Sequence, residues 1–209
     1  MEILIGLCLG ITLSAASGLR VFIPPLIMCL AALFGDLPLA SNLQWIGTYP
    51  TLVVLSTAVV VEVLAYYIPG INNLLDLIEI PTAIAVGSVL TAASLGDINP
   101  VLQWTLAILA GGSAAGIVET TTSVTRLAAT TMTGGIGNPV LSTIEVILSV
   151  LLTLLGLAIP LLAAAVVLLF IIWLIRKTKA ILIQRRRRRQ ASRTRHSSLV
   201  LSLCQFWKE

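Results

Sequence analysis

Five ionisable side chains stand inside otherwise apolar runs of this sequence: Arg20, Glu62, Glu119, Arg126 and Glu145. A charged group at the centre of a membrane helix costs about 2.5–3.5 kcal/mol on insertion scales, so such residues normally meet an opposite charge or a watery path. Glu62 lies twelve residues after Pro50, within Val59-Val60-Val61-Glu62-Val63-Leu64. On a helix that is about 18 Å along, near mid-membrane, which makes Glu62 the leading candidate for a proton or cation site. Glu145 lies six residues after Pro139, about 9 Å along, and is expected nearer the interface. Arg20 and Glu119 have opposite signs, and each follows a run of small residues, Ser14-Ala15-Ala16-Ser17-Gly18 and Ser113-Ala114-Ala115-Gly116. An ion pair between them is one arrangement this allows. Structural pairing and a substrate or ion pathway are both open readings of the five charges.

The segment from Gly111 to Asn138 is crowded with Gly, Ala, Ser and Thr. Small residues let helices approach closely, and Thr hydroxyls bond across helices. The other reading is a discontinuous helix whose break at Gly134, Gly135, Gly137 and Asn138 offers backbone groups to a ligand. The same glycines do not make a phosphate loop, because the Lys and the strand-to-helix context are missing. No Ser/His/Asp set, Cys/His pair, zinc-protease helix or Walker loop is present, so no enzyme is expected. Cys8, Cys29 and Cys204 form no Cys-x-x-Cys pair, and His196 is the one histidine. That set supports neither a metal nor a disulfide framework, and no cofactor is expected.

The elements that must position these residues are membrane helices. The 209 residues are 57% hydrophobic and 11% charged, with a mean hydropathy of +1.03, against about 25% charged in soluble domains. Residues 1 to 175 hold two basic residues and eight acidic ones, and the remaining eleven Lys and Arg follow. The basic pI therefore describes a tail and gives no case for nucleic-acid binding. Apolar stretches run near 3 to 19, 21 to 35, 51 to 68, 82 to 95, 101 to 118, 123 to 133, 140 to 158 and 161 to 176. Few reach the roughly 20 residues a straight crossing needs. The spacing predicts an all-α, polytopic membrane protein with short or broken helices. The segments 35 to 50 and 72 to 81 read as loops. Val140 to Ile175 would make a helix of about 54 Å, so a break near Gly156 to Pro160 is expected, giving a tight hairpin or a strong kink. The N-terminus lacks a basic leader and reads as a retained membrane segment.

Residues 1 to 80 and 100 to 176 read as an internal duplication, the device many transporters use to build a site between halves. Arg176, Lys177, Lys179 and Arg185 to Arg189 flank the last apolar run, which places the C-terminus in the cytoplasm by the positive-inside rule. Residues 179–209 form a flexible basic tail, in which Arg185, Arg186, Arg187, Arg188 and Arg189 meet anionic lipid headgroups. Leu199 to Trp207 is too short to span and is expected either in the interface or disordered.

Taken in order, four groups of residues carry a family resemblance: Ser17-Gly18-Leu19-Arg20; Glu62 with Ile68-Pro69-Gly70 and Asp76; Arg126 with Thr133-Gly134-Gly135-Ile136-Gly137-Asn138-Pro139; and Ser142 with Glu145. Together they resemble the bacterial membrane family DUF4126, over residues 1 to 178. The resemblance implies a multi-pass membrane protein of unassigned activity. Tyr66-Tyr67 and Thr121 stand where the family pattern carries an acidic and a basic residue, so no charge-relay role is carried over to them. The functional expectation is a small transporter or channel-like permease for an ion or small solute, in a bacterial inner membrane. The rival is a non-transporting scaffold or assembly factor, and homo-oligomers are compatible with either.

Overall fold

The computed structural model describes residues 2–35, 37–66, 72–133, 137–173 and 176. Among the described residues there are eight α-helices: α1 (Glu2–Ser17), α2 (Ile23–Phe34), α3 (Tyr49–Tyr66), α4 (Asn72–Ser94), α5 (Pro100–Leu106), α6 (Ser113–Thr133), α7 (Asn138–Ala158) and α8 (Pro160–Trp173). A 3₁₀ segment, Ser41–Gly47, precedes α3, and a π-helical turn, Ala107–Gly112, joins α5 to α6. Among the described residues there is no strand. Of the described helices, three stretches are long and apolar enough to cross a bilayer, Tyr49–Tyr66, Pro100–Met132 and Asn138–Ala158, while Ile3–Ser17, Ile23–Phe34, Ile78–Ser94 and Pro160–Trp173 are shorter. The chain is thus an all-α membrane protein in which short helices pack beside full-length ones.

Proline placement explains several boundaries. Pro24, Pro100 and Pro139 sit in the first turn of α2, α5 and α7, where the missing N–H removes no helical bond. Asn99 caps α5 by accepting the Val101 N–H at 2.9 Å. Ile159, at φ −141° and ψ 78°, interrupts the helix before Pro160, so the expected break is present and a single straight rod is not formed.

Two expectations are corrected. The segment 72 to 81, read as a loop, is helical and opens α4, with Pro81 inside the helix. The stretches 101 to 118 and 123 to 133 form one continuous helical run through the π turn. Threonine does not break this run because Thr120, Thr121, Thr125 and Thr130 bond the carbonyls of Gly116, Ile117, Thr121 and Arg126 at 2.7–2.9 Å, four residues back. In a membrane such local bonds satisfy hydroxyls without unwinding the helix.

The centre of the bundle is a close approach of α1, α4 and the π turn. Gly6, Gly10 and Ser14, spaced four apart on α1, face α4. A Cβ at Gly10 would lie 2.7 Å from the Thr91 Cα, and one at Gly87 would lie 2.7 Å from the Ala115 Cβ. The Ser14 hydroxyl donates to the Gly87 carbonyl at 2.6 Å and shares a 2.8 Å hydrogen bond with the Thr91 hydroxyl. Lipid is as apolar as leucine, so small residues and interhelical hydrogen bonds are what hold helices together there. Around this seam Leu9, Leu13, Met28, Leu43, Ile46 and Leu90 form the apolar core. Outward faces carry Val53, Val60, Leu148, Leu151 and Leu154, the surface a bilayer requires. Residues up to Leu168 form one compact unit. In the unit that follows, the rings of Phe170 and Trp173 stack with centroids 6.3 Å apart. The basic run Arg185 to Arg189 and the segment 199 to 207 lie outside the described residues.

Candidate functional site

The site is built around the short interruption between α1 and α2, residues 18–22. Gly18 permits it: a Cβ there would lie 2.8 Å from the Val118 side chain of α6, so only glycine lets the two segments meet. The carbonyls at the end of α1 also accept from neighbouring helices, that of Ala16 in addition to the Leu19 and Arg20 N–H groups at 3.0 Å and 3.2 Å. Ser149 of α7 donates to the Ala16 carbonyl at 3.0 Å, and Thr122 of α6 donates to the Gly18 carbonyl at 3.3 Å. On the other side of the interruption, Glu62 of α3 accepts the Val21 N–H at 2.8 Å and the Phe22 N–H at 3.3 Å, one on each carboxyl oxygen. A carboxylate against the N-terminus of a helix satisfies orphan donors and the helix dipole together.

From this interruption Arg20 reaches into a buried cluster of five side chains. Its Nη2 donates to Glu145 at 3.3 Å, to the Ser142 carbonyl at 3.4 Å and to the Ser142 hydroxyl. Glu145 offers its other oxygen to Nε of Arg126 at 3.0 Å, so one carboxylate bridges both guanidinium groups. Arg126 goes on to Glu79 at 3.3 Å and to the Tyr66 hydroxyl, which itself donates to Glu79. The guanidinium carbons of Arg20 and Arg126 lie over the Tyr66 ring, 4.1 Å and 4.5 Å from its centre. The ring's negative face is attractive to both cations. Nε and Nη1 of Arg20 find no protein acceptor among the described residues, and the ring face stands in for one. All five residues are 7% exposed or less, and they come from the interruption, α3, α4, α6 and α7.

The sequence-derived candidates fare differently. Arg20, Arg126 and Glu145 meet. The partner of Arg20 is Glu145 and not Glu119, because the interruption directs the arginine towards α7. Glu119 is fully buried on α6, one oxygen accepting the Ser123 hydroxyl at 2.9 Å and the other without a partner among the described residues. Glu145, six residues after Pro139, is turned into the bundle and buried. Glu62 stands beside the cluster. Of the broken-helix candidates, Gly134 and Gly135 lie outside the described residues, Gly137 precedes α7 with φ −76° and ψ −17°, and Asn138 ties α7 to α6 by donating to Thr130 at 2.8 Å.

Glu79 and Tyr66 were missed. Reading Pro81 as the end of a loop put Glu79 outside the membrane, although its apolar flanks, Ile78 and Ile80, were a signal. Tyr66 carries no charge, so a search for charges within apolar runs passes over it. Its ring and hydroxyl nonetheless connect both arginines to Glu79.

Beside the cluster, α3, α4 and the start of α2 enclose a groove of about 530 Å³. Phe22, Val53, Val54, Val61 and Ile78 wall it, and Glu62 and Glu79 also line it. Among the described residues, four carboxyl groups, Glu62, Glu79, Glu119 and Glu145, accompany two guanidinium groups in this region, and Glu62 and Glu119 take part in no ion pair there. Protons or a cation are the natural complement to that imbalance in a low-dielectric setting. Among the described residues no three His, Cys, Asp or Glu side chains are grouped to hold a metal ion.

A family model described as "Domain of unknown function (DUF4126)" matches residues 7–180. No curated protein and no solved structure matches the chain.

Proposed function

This chain belongs to the DUF4126 family, and we propose that it is a small permease for an ion or small solute, driven by exchange of a proton or cation at Glu62 and Glu79. One observation carries the proposal: the groove beside α3 is lined by Glu79, and Glu79 is directly paired to Arg126. An occupant of the groove is therefore one ion pair away from the residues that tie four helices together. Neutralising or displacing Glu79 would take one carboxylate away from Arg126, and that is a local charge change able to bias helix positions. Helices interrupted at membrane depth beside such charges are a recurrent transporter device. In this reading residues 1–80 and 100–176 are duplicated halves, the membrane is the bacterial inner membrane, and the basic tail lies in the cytoplasm against anionic lipid.

The test is electrometry on purified protein reconstituted on a solid-supported membrane, with concentration jumps of monovalent inorganic and organic cations. At least one jump should give a protein-dependent current, cut tenfold or more by Glu62→Gln at equal protein. Equal currents from wild type and variant would remove the proposal.

A scaffold or assembly factor is the second reading, favoured by the closed pairing of Arg20, Glu145, Arg126 and Glu79 away from solvent. There, function would reside in partner contacts of the tail, and a deletion after Lys179 would abolish activity while the core stays folded.

A further inference from the structure

We propose that the groove between α3 and α4 binds a monovalent organic cation with an apolar body, taken up sideways from the lipid; this substrate class rests on the permease reading. Its size, about 530 Å³, falls within the range of small-molecule sites. The charge is specified by what lines it. Glu62 and Glu79 are acidic, and no Lys or Arg is among the described residues that line it. An anion would look for the free N–H groups ahead of α2, but those of Val21 and Phe22 are already held by Glu62.

The walls select against a small hydrated ion. Magnesium and calcium need six or more oxygen ligands in a shell. Beyond the two carboxylates the side-chain oxygens among the described lining residues are those of Thr57 and Thr82, both of which donate to carbonyls of their own helices at 2.9 Å and 2.7 Å. A neutral polar solute would be matched no better by valine, alanine and isoleucine walls. An apolar body carrying one delocalised positive charge satisfies walls and carboxylates together. Access follows from exposure: Val53, Val54, Val61 and Ile78 are all more than half exposed on the outer surface of a membrane protein, so the rim is open where a membrane-partitioned molecule travels.

The experiment is equilibrium binding of radiolabelled tetraphenylphosphonium to the full chain in nanodiscs, with tetraphenylborate, of the same shape and opposite charge, as the control. Saturable binding of about one phosphonium per chain is expected, weakened tenfold or more by Glu62→Gln and by Val54→Trp, which adds bulk to the groove wall and keeps both carboxyl groups in the chain. Tetraphenylborate should not bind saturably. Absence of saturable phosphonium binding, equal binding of the borate, or unchanged affinity in Val54→Trp would each overturn the site. A lipid chain occupying the groove would show as phosphonium binding that Val54→Trp leaves unchanged. The electrometry keeps the two claims apart: binding without any protein-dependent current leaves the site standing and removes the permease, while currents without phosphonium binding do the reverse.

Discussion

Glu145 is the residue on which the cluster turns, since among the described residues it is the carboxylate paired with both arginines. Glu145→Gln keeps the shape but leaves two buried guanidinium groups short of a counter-charge, and breaking a buried pair in this way costs about 3–5 kcal/mol. A clear fall in Tm in detergent is expected. Glu119→Gln should act in the opposite sense. Its carboxyl is buried outside any ion pair among the described residues, so an amide of the same shape should leave Tm unchanged or raise it. Any loss of current in that variant would then assign Glu119 to proton handling and not to folding. Tyr66→Phe keeps the ring against both guanidinium groups and removes only the hydroxyl between Arg126 and Glu79, a loss of about 1–3 kcal/mol for the buried polar groups left behind. Combined with Glu79→Gln it should fall short of additive, as residues of one network do. Arg20, Glu62, Arg126 and Glu145 were legible in the sequence because a charge in an apolar run has few reasons to be there. Glu79 was hidden by Pro81, and the pairing itself was hidden because spacing along a chain does not say which way an interrupted helix aims its arginine.

At the scale of elements, the fold depends on backbone proximity where α1 crosses α4. Gly10→Leu would drive a Cβ to 2.7 Å from the Thr91 backbone, and overpacking of this kind costs about 1–3 kcal/mol or more. The expected result is a lower Tm and greater protease sensitivity, whereas Gly96→Ala, with nothing within 4 Å but φ at +70°, should show only the smaller strain of a left-handed residue. Outside the membrane helices, Asp97 ties the turn after α4 to the 3₁₀ segment. It accepts the Ser41 N–H at 2.7 Å and the Ser41 hydroxyl at 2.8 Å, and these bonds, the backbone one first, hold its carboxyl below the ordinary value of 3.8. A depressed value in the folded state means the tie is fully present above pH 3.8 and is lost as pH falls through the lower folded value. Amide exchange in Ser41–Gly47 should therefore accelerate only in acid, and Asp97→Asn should remove that step. The break at Ile159 was readable from Pro160 and from a stretch too long for a bilayer. The helical character of 72 to 81 was not, because proline within a helix is tolerated where neighbouring helices supply the packing.

At the scale of the whole molecule, composition alone requires a helical membrane protein, and the helices found satisfy it. The number of crossings was not legible, since the early loops carry no Lys or Arg to orient them, and several helices are too short to count by length. The groove was not legible either, because it arises from helices that pack against different neighbours: α3 against α2 and the 3₁₀ segment, α4 against α1 and the π turn. What joins these scales is a charge network touching five elements with an open groove on its flank. The most direct test is luminal pH in proteoliposomes loaded with a pH-sensitive dye, under inward gradients of monovalent cations applied one at a time. The account predicts that at least one cation drives protein-dependent proton countermovement and that Glu62→Gln reduces its rate tenfold or more. A dye signal no different from empty liposomes for every cation, or one equal in wild type and Glu62→Gln, would contradict it.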